Sequence, residues 1–248
     1  MDVLKSIIVW IIGICFMVVL FPLTFIIWLV VLPFDKKRII VHWLLVNQSF
    51  ILTRIMPVWG IKTKGREKAI SGTTYVVISN HQSILDILFI NSLRYNYKWI
   101  SKIENVKLPF LGWYLKMADY ITVDRDNEES KAEMLEKSLA YLKNGTSIML
   151  FPEGTRSSDS EIGFFKRGAF QLAIQAGVPI LPIVIDGTGG ILPKHGLLFR
   201  SGNHVKVRVY DPVMPESFET INPDELAHRF SNMMKEWLTE IREESEIR

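Results

Sequence analysis

The chain has 248 residues, of which 48% are hydrophobic, and a mean hydropathy of +0.19, more apolar than a soluble domain of this size, with the excess concentrated at the N-terminus. A net charge of +3 gives no reason to expect nucleic acid as a partner, whereas a pI near 8.9 suits contact with an anionic lipid surface. The single cysteine, Cys15, excludes an internal disulfide framework and is compatible with a reducing compartment.

Residues 6–34 carry no charged side chain. A helix crosses a hydrocarbon core with about 20 residues, so membrane insertion is expected. The run is too long for the apolar part of a signal peptide, and no small-x-small cleavage site follows it. Pro22 interrupts it and permits a kinked or re-entrant path. With Lys5 before the run and Asp35-Lys36-Lys37-Arg38 after it, a single span would leave its C-terminal side in the cytoplasm, so the remainder of the chain is expected on the cytoplasmic side of an inner or cytoplasmic membrane.

Residues 39–59 are apolar but broken by His42, Asn47, Gln48 and Arg54 and close at Pro57. They read as an amphipathic helix on the bilayer or packed on the first helix, with Trp43 and Trp59 favouring the interface. The alternative is a core helix of the domain that follows. This divides the chain into membrane-associated helices at 1–60 and an α/β domain at 61–248.

From residue 61 short apolar runs alternate with amphipathic segments, which predicts an α/β fold, a mixed central sheet of about seven strands flanked by helices. Strands are expected at 61–65, 74–79, 98–101, 120–123, 147–151, 180–185 and 205–210. Residues 128–142 predict a helix with a solvated charged face, stopped by Asn144-Gly145. Asn222 as cap, Pro223 at the first position and Glu225 at the third open a last helix over 226–241 that covers the sheet.

Four stretches carry chemistry. Ser79-Asn80-His81-Gln82-Ser83-Ile84-Leu85-Asp86 joins a strand to a helix, and Ser83 with Asp86 fits a capping box. Inside one helix His81 and Asp86 would lie about 140° apart. With His81 in the preceding turn, Asp86 can accept from one ring nitrogen, fix the tautomer and leave the other nitrogen free to take a proton. Taken alone, Asp86 also reads as nothing more than a cap. Phe151-Pro152-Glu153-Gly154-Thr155-Arg156-Ser157 is a strand-end turn, a place where α/β proteins put ligand groups, and its Arg offers a planar fork for phosphate; the bland reading is a surface turn with a salt bridge. Asp119 to Arg125 is a third strand-to-turn stretch. In Val178-Pro179-Ile180-Leu181-Pro182-Ile183 two prolines flank a core strand. No Gly-x-Ser-x-Gly elbow, Walker or dinucleotide glycine pattern, or Cys/His metal cluster occurs, and Cys15 lies in the apolar run, so covalent catalysis is disfavoured and no metal site is expected.

Together these stretches resemble the glycerophospholipid acyltransferase family, whose best-known members are the lysophosphatidic acid (1-acyl-sn-glycerol-3-phosphate) acyltransferases. Asn-His-x4-Asp matches Asn80, His81 and Asp86, and Phe-Pro-Glu-Gly-Thr-Arg-Ser matches residues 151–157 without departure. The blocks at Val123-Asp124-Arg125 and at 178–182 follow in order. The resemblance covers about 61–212, and the apolar N-terminus is similar to bacterial members. It implies transfer of a fatty acyl group from a thioester donor, acyl-CoA or acyl carrier protein, to the free hydroxyl of lysophosphatidic acid at a membrane, without a cofactor or nucleic acid.

In that reading His81 is the general base and Asp86 its orienter. Arg156 and Lys102 bind the acceptor phosphate, Glu153, Gly154 and Thr155 shape the substrate-binding turn, and Arg125 serves either the phosphate or the fold. Phe110, Trp113, Lys107 and Lys116 are expected at a lipid-facing rim or, for the two aromatics, as caps on the core. Alternatives are the same chemistry on glycerol 3-phosphate, another lysophospholipid or an acylated amino lipid, and a noncatalytic module that binds membrane phospholipids.

Overall fold

The computed structural model describes residues 2–56, 59–200 and 204–246. Seven strands, β1 (Gly60–Lys64), β2 (Val76–Ser79), β3 (Tyr97–Lys102), β4 (Ile121–Val123), β5 (Ser147–Leu150), β6 (Ile180–Asp186) and β7 (His204–Val209), form one sheet in the order β1-β7-β6-β2-β5-β3-β4. Every pairing is parallel except β6 with β7, so the sheet is mixed, as expected. The central strands are continuous apolar runs because helices cover both faces.

Alternate residues feed two cores, as a side-chain period of two requires. Val77, Met149, Leu181 and Ile183 point into one core, with Leu45 and Phe89. Val76, Ile78, Ile148, Ile180 and Val184 point into the other, with Phe170 and Phe230. The first core is roofed by α1 (Asp2–Val31), α2 (Ile39–Ile55), α3 (Leu85–Asn91) and α4 (Leu111–Met117); the second by α5 (Glu128–Lys143), α6 (Gly168–Ala176) and α8 (Pro223–Glu246). A single turn of helix, α7 (Thr188–Ile191), follows β6.

The long surface helices open on asparagine caps, at Asn222 as the sequence predicts and at Asn127, which is not among the predicted caps. Asn127 Oδ1 accepts from Ser130 N at 3.1 Å to open α5, and Asn222 Oδ1 accepts from Asp224 N at 2.8 Å to open α8. Pro182 lies inside β6 instead of flanking it. Its missing N–H costs little, because the β7 ladder begins one residue later, at Ile183↔Val209.

Helix α1 runs without a break through Pro22, so the chain takes no re-entrant path there. Most of its surface is apolar and exposed, yet it touches the α/β domain along its length. Ser6 Oγ accepts from Phe199 N at 2.7 Å, and Trp10 Nε1 donates to Leu197 O at 2.9 Å. Further along, the Phe21 ring sits 5.1 to 5.4 Å from those of Phe110, Trp113 and Tyr114. The two aromatics expected at a lipid rim therefore dock α1, with Trp113 still half exposed.

Helix α2 presents apolar residues on both sides. Val41, Leu45 and Val46 are buried against the domain, while Ile40, Trp43, Ile51 and Ile55 face outward. Trp59, read as an interface residue, packs on Phe89 and Phe199 instead. Asp35 caps α2, accepting from Ile39 N at 2.7 Å and Ile40 N at 2.9 Å.

His42 fastens α2 to the sheet. Its Nε2 bonds Tyr95 O and its Nδ1 bonds Tyr120 OH, both at 2.7 Å. A carbonyl only accepts, so Nε2 carries the proton and the tyrosine hydroxyl donates to Nδ1. Burial holds the imidazole pKa down at about 4, so the ring is neutral at neutral pH. His42→Ala leaves a cavity and two buried polar groups without a partner; thermal unfolding in detergent is expected to show a loss of about 3 kcal/mol.

Candidate active site

The carboxyl ends of β2, β3, β4, β5 and β6 converge on one crevice, where an open α/β sheet places its ligands. After β2, Asn80 prolongs the pairing with β6 through its side chain: Nδ2 donates to Ile185 O at 2.8 Å and Oδ1 accepts from Ile185 N at 2.9 Å. This fixes where the chain turns, and His81 follows at the turn.

His81 Nδ1 lies 2.7 Å from Asp86 Oδ2. Asp86 is fully buried, and the same oxygen accepts Gln82 N at 2.7 Å and Ser83 N at 2.9 Å. Its other oxygen accepts the hydroxyl of Thr188. The capping box expected here forms only by half. Asp86 does reach back to the Ser83 N–H, but the Ser83 hydroxyl donates to Leu192 O at 2.7 Å and the helix starts at Leu85. The carboxylate is committed to the turn holding His81, and the serine to the loop after α7.

The turn after β5 locks onto the same histidine. Glu153 Oε1 accepts His81 N at 2.9 Å, its Oε2 accepts Gly163 N at 3.2 Å, and His81 O accepts Ser157 N at 2.7 Å. The Phe151 ring stacks on the imidazole, centroids 3.8 Å apart and planes within 5°. Gly154 holds a φ of +72°, a conformation that favours glycine.

A cavity of about 410 Å³ joins these groups. His81, Lys102, Arg125, Gly154, Thr155 and Arg156 line its polar part, and it continues between α1, α2, α3 and α4 past Leu45, Leu52, Ile87, Leu88 and Leu115. Arg156 thus lies on the same side of the sheet as His81. Lys102 ends β3 and pairs with Glu104 at 2.6 Å, so it reaches the cavity with its charge already partnered. Arg125 donates to the carbonyl of Gly154, which braces the turn, and still lines the cavity.

Sequence reasoning missed Thr188 and Gln82. Gln82 Nε2 donates to Ser160 O at 3.0 Å and approaches Asp186 Oδ1 at 3.3 Å. Arg242, from the helix expected only to cover the sheet, reaches the same two acceptors at 2.9 and 3.2 Å. The only signal was a hydroxyl residue just past a strand end, too common to single out.

The mixed α/β sheet thus sets a strand-end histidine, with a buried carboxylate behind it, and an arginine in the wall of one largely apolar cavity. Residues 60–186 match the Acyltransferase family model, and the chain belongs to that family. It is 38% identical over 182 residues to the chloroplastic 1-acyl-sn-glycerol-3-phosphate acyltransferase BAT2 of Brassica napus (72% of this chain, 52% of that one). With the 1-acyl-sn-glycerol-3-phosphate acyltransferase of Saccharomyces cerevisiae it shares 31% over 210 residues (83% and 68%). The chain spans about half the length of the chloroplastic relatives it matches. The crystal structure of the 1-acyl-sn-glycerophosphate acyltransferase of Thermotoga maritima superposes with a TM-score of 0.79 over 97% of this chain and 96% of that one, at 24% identity, and shows the same fold.

Burial pushes the Glu153 carboxyl up to about 7, against the opposing pull of its two backbone N–H bonds. A carboxyl whose folded-state pKa lies above its ordinary value of 4.5 holds its proton more tightly when folded. Its contribution to stability is complete below about pH 4.5 and is lost as pH rises to about 7. The stability of Glu153→Gln relative to the unsubstituted protein should therefore climb across that window and level off above it; a flat difference in thermal midpoints would contradict this.

Proposed function

We propose that the protein transfers a fatty acyl group from a thioester, acyl-CoA or acyl carrier protein, to the free hydroxyl of 1-acyl-glycerol 3-phosphate, giving phosphatidic acid. The observation that carries this reading is the His81 imidazole, bonded through Nδ1 to buried Asp86 and lining the same cavity as Arg156. The names of the relatives point the same way.

In the proposed step Nε2 of His81 takes the acceptor hydroxyl proton as the oxygen attacks the thioester carbonyl carbon. The tetrahedral intermediate collapses by breaking the C–S bond, and the departing sulfur receives that proton from the imidazolium, so thiol and ester leave a regenerated base. Positioned general-base assistance of this kind is typically worth roughly 10²- to 10⁴-fold. Asp86 holds the tautomer and stabilises the transient positive charge. Arg156 binds the acceptor phosphate with a planar pair of donors, and Lys102, already bonded to Glu104, assists through its charge. Gly154 and Thr155 present the turn, Glu153 orients it and Arg125 braces it. The apolar stretch of the cavity takes acyl chain. The reaction needs no metal or organic cofactor in this reading.

Helix α1 is about 45 Å long at 1.5 Å per residue, and contacts from Ser6 to Thr24 hold it against the domain. That favours a helix lying in the plane of one leaflet over a perpendicular span. The charge-asymmetry argument for sidedness presumes a span, so the cytoplasmic face is assigned instead from the soluble thioester donors.

Three measurements with purified protein test this. His81→Ala should lower kcat by about 10²- to 10⁴-fold in protein that is still folded at the assay temperature, with a lower thermal midpoint because Asp86 loses a donor, and retained activity would refute the base assignment. Arg156→Ala should raise KM for lysophosphatidic acid at least about tenfold while leaving turnover of lysophosphatidylcholine unchanged. An acceptor panel with one labelled donor should rank lysophosphatidic acid above glycerol 3-phosphate and lysophosphatidylcholine; another order would reassign the acceptor.

A further inference from the structure

We propose that the loop at residues 192–200 is a second membrane-contact segment, which inserts Leu197 and Leu198 into an anionic leaflet beside α1. The proposal rests on the membrane reading of α1 and extends it to a part of the chain more than 160 residues away. Leu197 and Leu198 are consecutive, 74% and 49% exposed, and lie in a loop without an acidic residue. Single exposed leucines need no explanation, but these continue an apolar surface.

Trp10 of α1 donates to the Leu197 carbonyl, and its ring meets that of Phe199 edge-on at 5.3 Å. Buried Phe199 and the Ser6 bond anchor the loop on α1, leaving the two leucines exposed, and Leu4, Ile7 and Ile11, which neighbour Ser6 and Trp10 along α1, are exposed as well. Lys194 and Arg200 flank the pair, and among the described residues neither has a carboxylate within salt-bridge distance. Apolar tips between unpaired cations suit an interface where acyl chains lie beneath anionic headgroups.

The test places an environment-sensitive fluorophore at single cysteines in a Cys15→Ser background, using Leu197→Cys, Val19→Cys on α1 and Glu133→Cys on α5. Each protein is reconstituted with phosphatidylcholine and phosphatidylglycerol vesicles carrying a doxyl-labelled lipid. Quenching at positions 197 and 19 but not at 133 is the expected result. Quenching at 19 alone would overturn the loop proposal and leave the α1 reading standing; quenching at neither would overturn both. A signal at 197 shielded equally in detergent, with a doubled sedimenting mass, would assign the surface to a second copy of the chain and also overturn the proposal.

A separate observation assigns Thr188 as a positioning residue for the His81–Asp86 pair. Its side chain is fully buried, and its hydroxyl faces Asp86 Oδ1 and, at 3.4 Å, Gln82 Oε1. Both are acceptors, so the single hydroxyl proton goes to the nearer, charged one. With Oδ2 already engaged by three N–H groups, this bond fixes the rotation of the carboxylate about its own axis, and so the direction of the bond to Nδ1.

Thr188→Val keeps the shape and removes the donor. It should lower kcat by about tenfold or more with KM for the acceptor unchanged, and raise the acid limb of the kcat/KM profile, because Oδ2 then carries more of the charge. Thr188→Ser should restore both. If the valine variant does not accumulate, Thr188→Ala carries the same comparison. Glu153, the other titratable group at the turn, meets His81 only through the backbone and is unchanged. Superimposable pH profiles, or a serine variant no better than valine, would overturn the assignment.

Discussion

One carboxylate taken entirely out of water shapes this site. Removing a charge from solvent costs several kcal/mol even after the surroundings relax, so Asp86 is tolerable only with its lone pairs filled. Four donors fill them: the imidazole of His81, the backbone N–H groups of Gln82 and Ser83, and the hydroxyl of Thr188. Two of these must come from a tight turn and one from the first residue of α7, after β6. The path of the chain from Asn80 to Leu85 follows from that demand, as does the diversion of the Ser83 hydroxyl from its expected capping role.

The same logic unites stretches far apart in sequence. His81 offers one backbone donor and one acceptor at the end of β2, and both are taken by the turn after β5, through Glu153 and Ser157. With Phe151 stacked on the ring, the histidine and the arginine turn form one bonded unit. On the other side, Arg242 ties α8 to Ser160 and Asp186, the two acceptors of Gln82. Helices that look peripheral thus bear on where one imidazole points.

Much of this was legible in the sequence, and for identifiable reasons. The central strands β2, β5 and β6 are continuous apolar runs and β7 alternates, so all seven strands could be placed within a residue or two, and the Asn222 cap and Asn144-Gly145 stop are local chemistry. The His81–Asp86 pair and the arginine turn sit at strand ends that the apolar pattern marks. What stayed hidden depends on packing between distant segments. Nothing local shows that Thr188 turns toward Asp86, that Arg242 reaches Asp186, or that Trp59 faces Phe89 instead of lipid. The run of α1 announces an affinity for lipid, but only its contacts with Phe199, Trp113 and Gln48 show that it lies along the domain.

The central claim is that buried Asp86 fixes the His81 tautomer, with the proton on Nδ1 and Nε2 left open. Nitrogen-15 NMR of histidine-labelled protein near pH 8 reads this directly, with the His81 signal assigned by its loss in His81→Gln. The account predicts an Nδ1–H tautomer with a strongly downfield proton that disappears in Asp86→Asn. An Nε2–H tautomer, or an Nδ1 proton indifferent to Asp86, would contradict it.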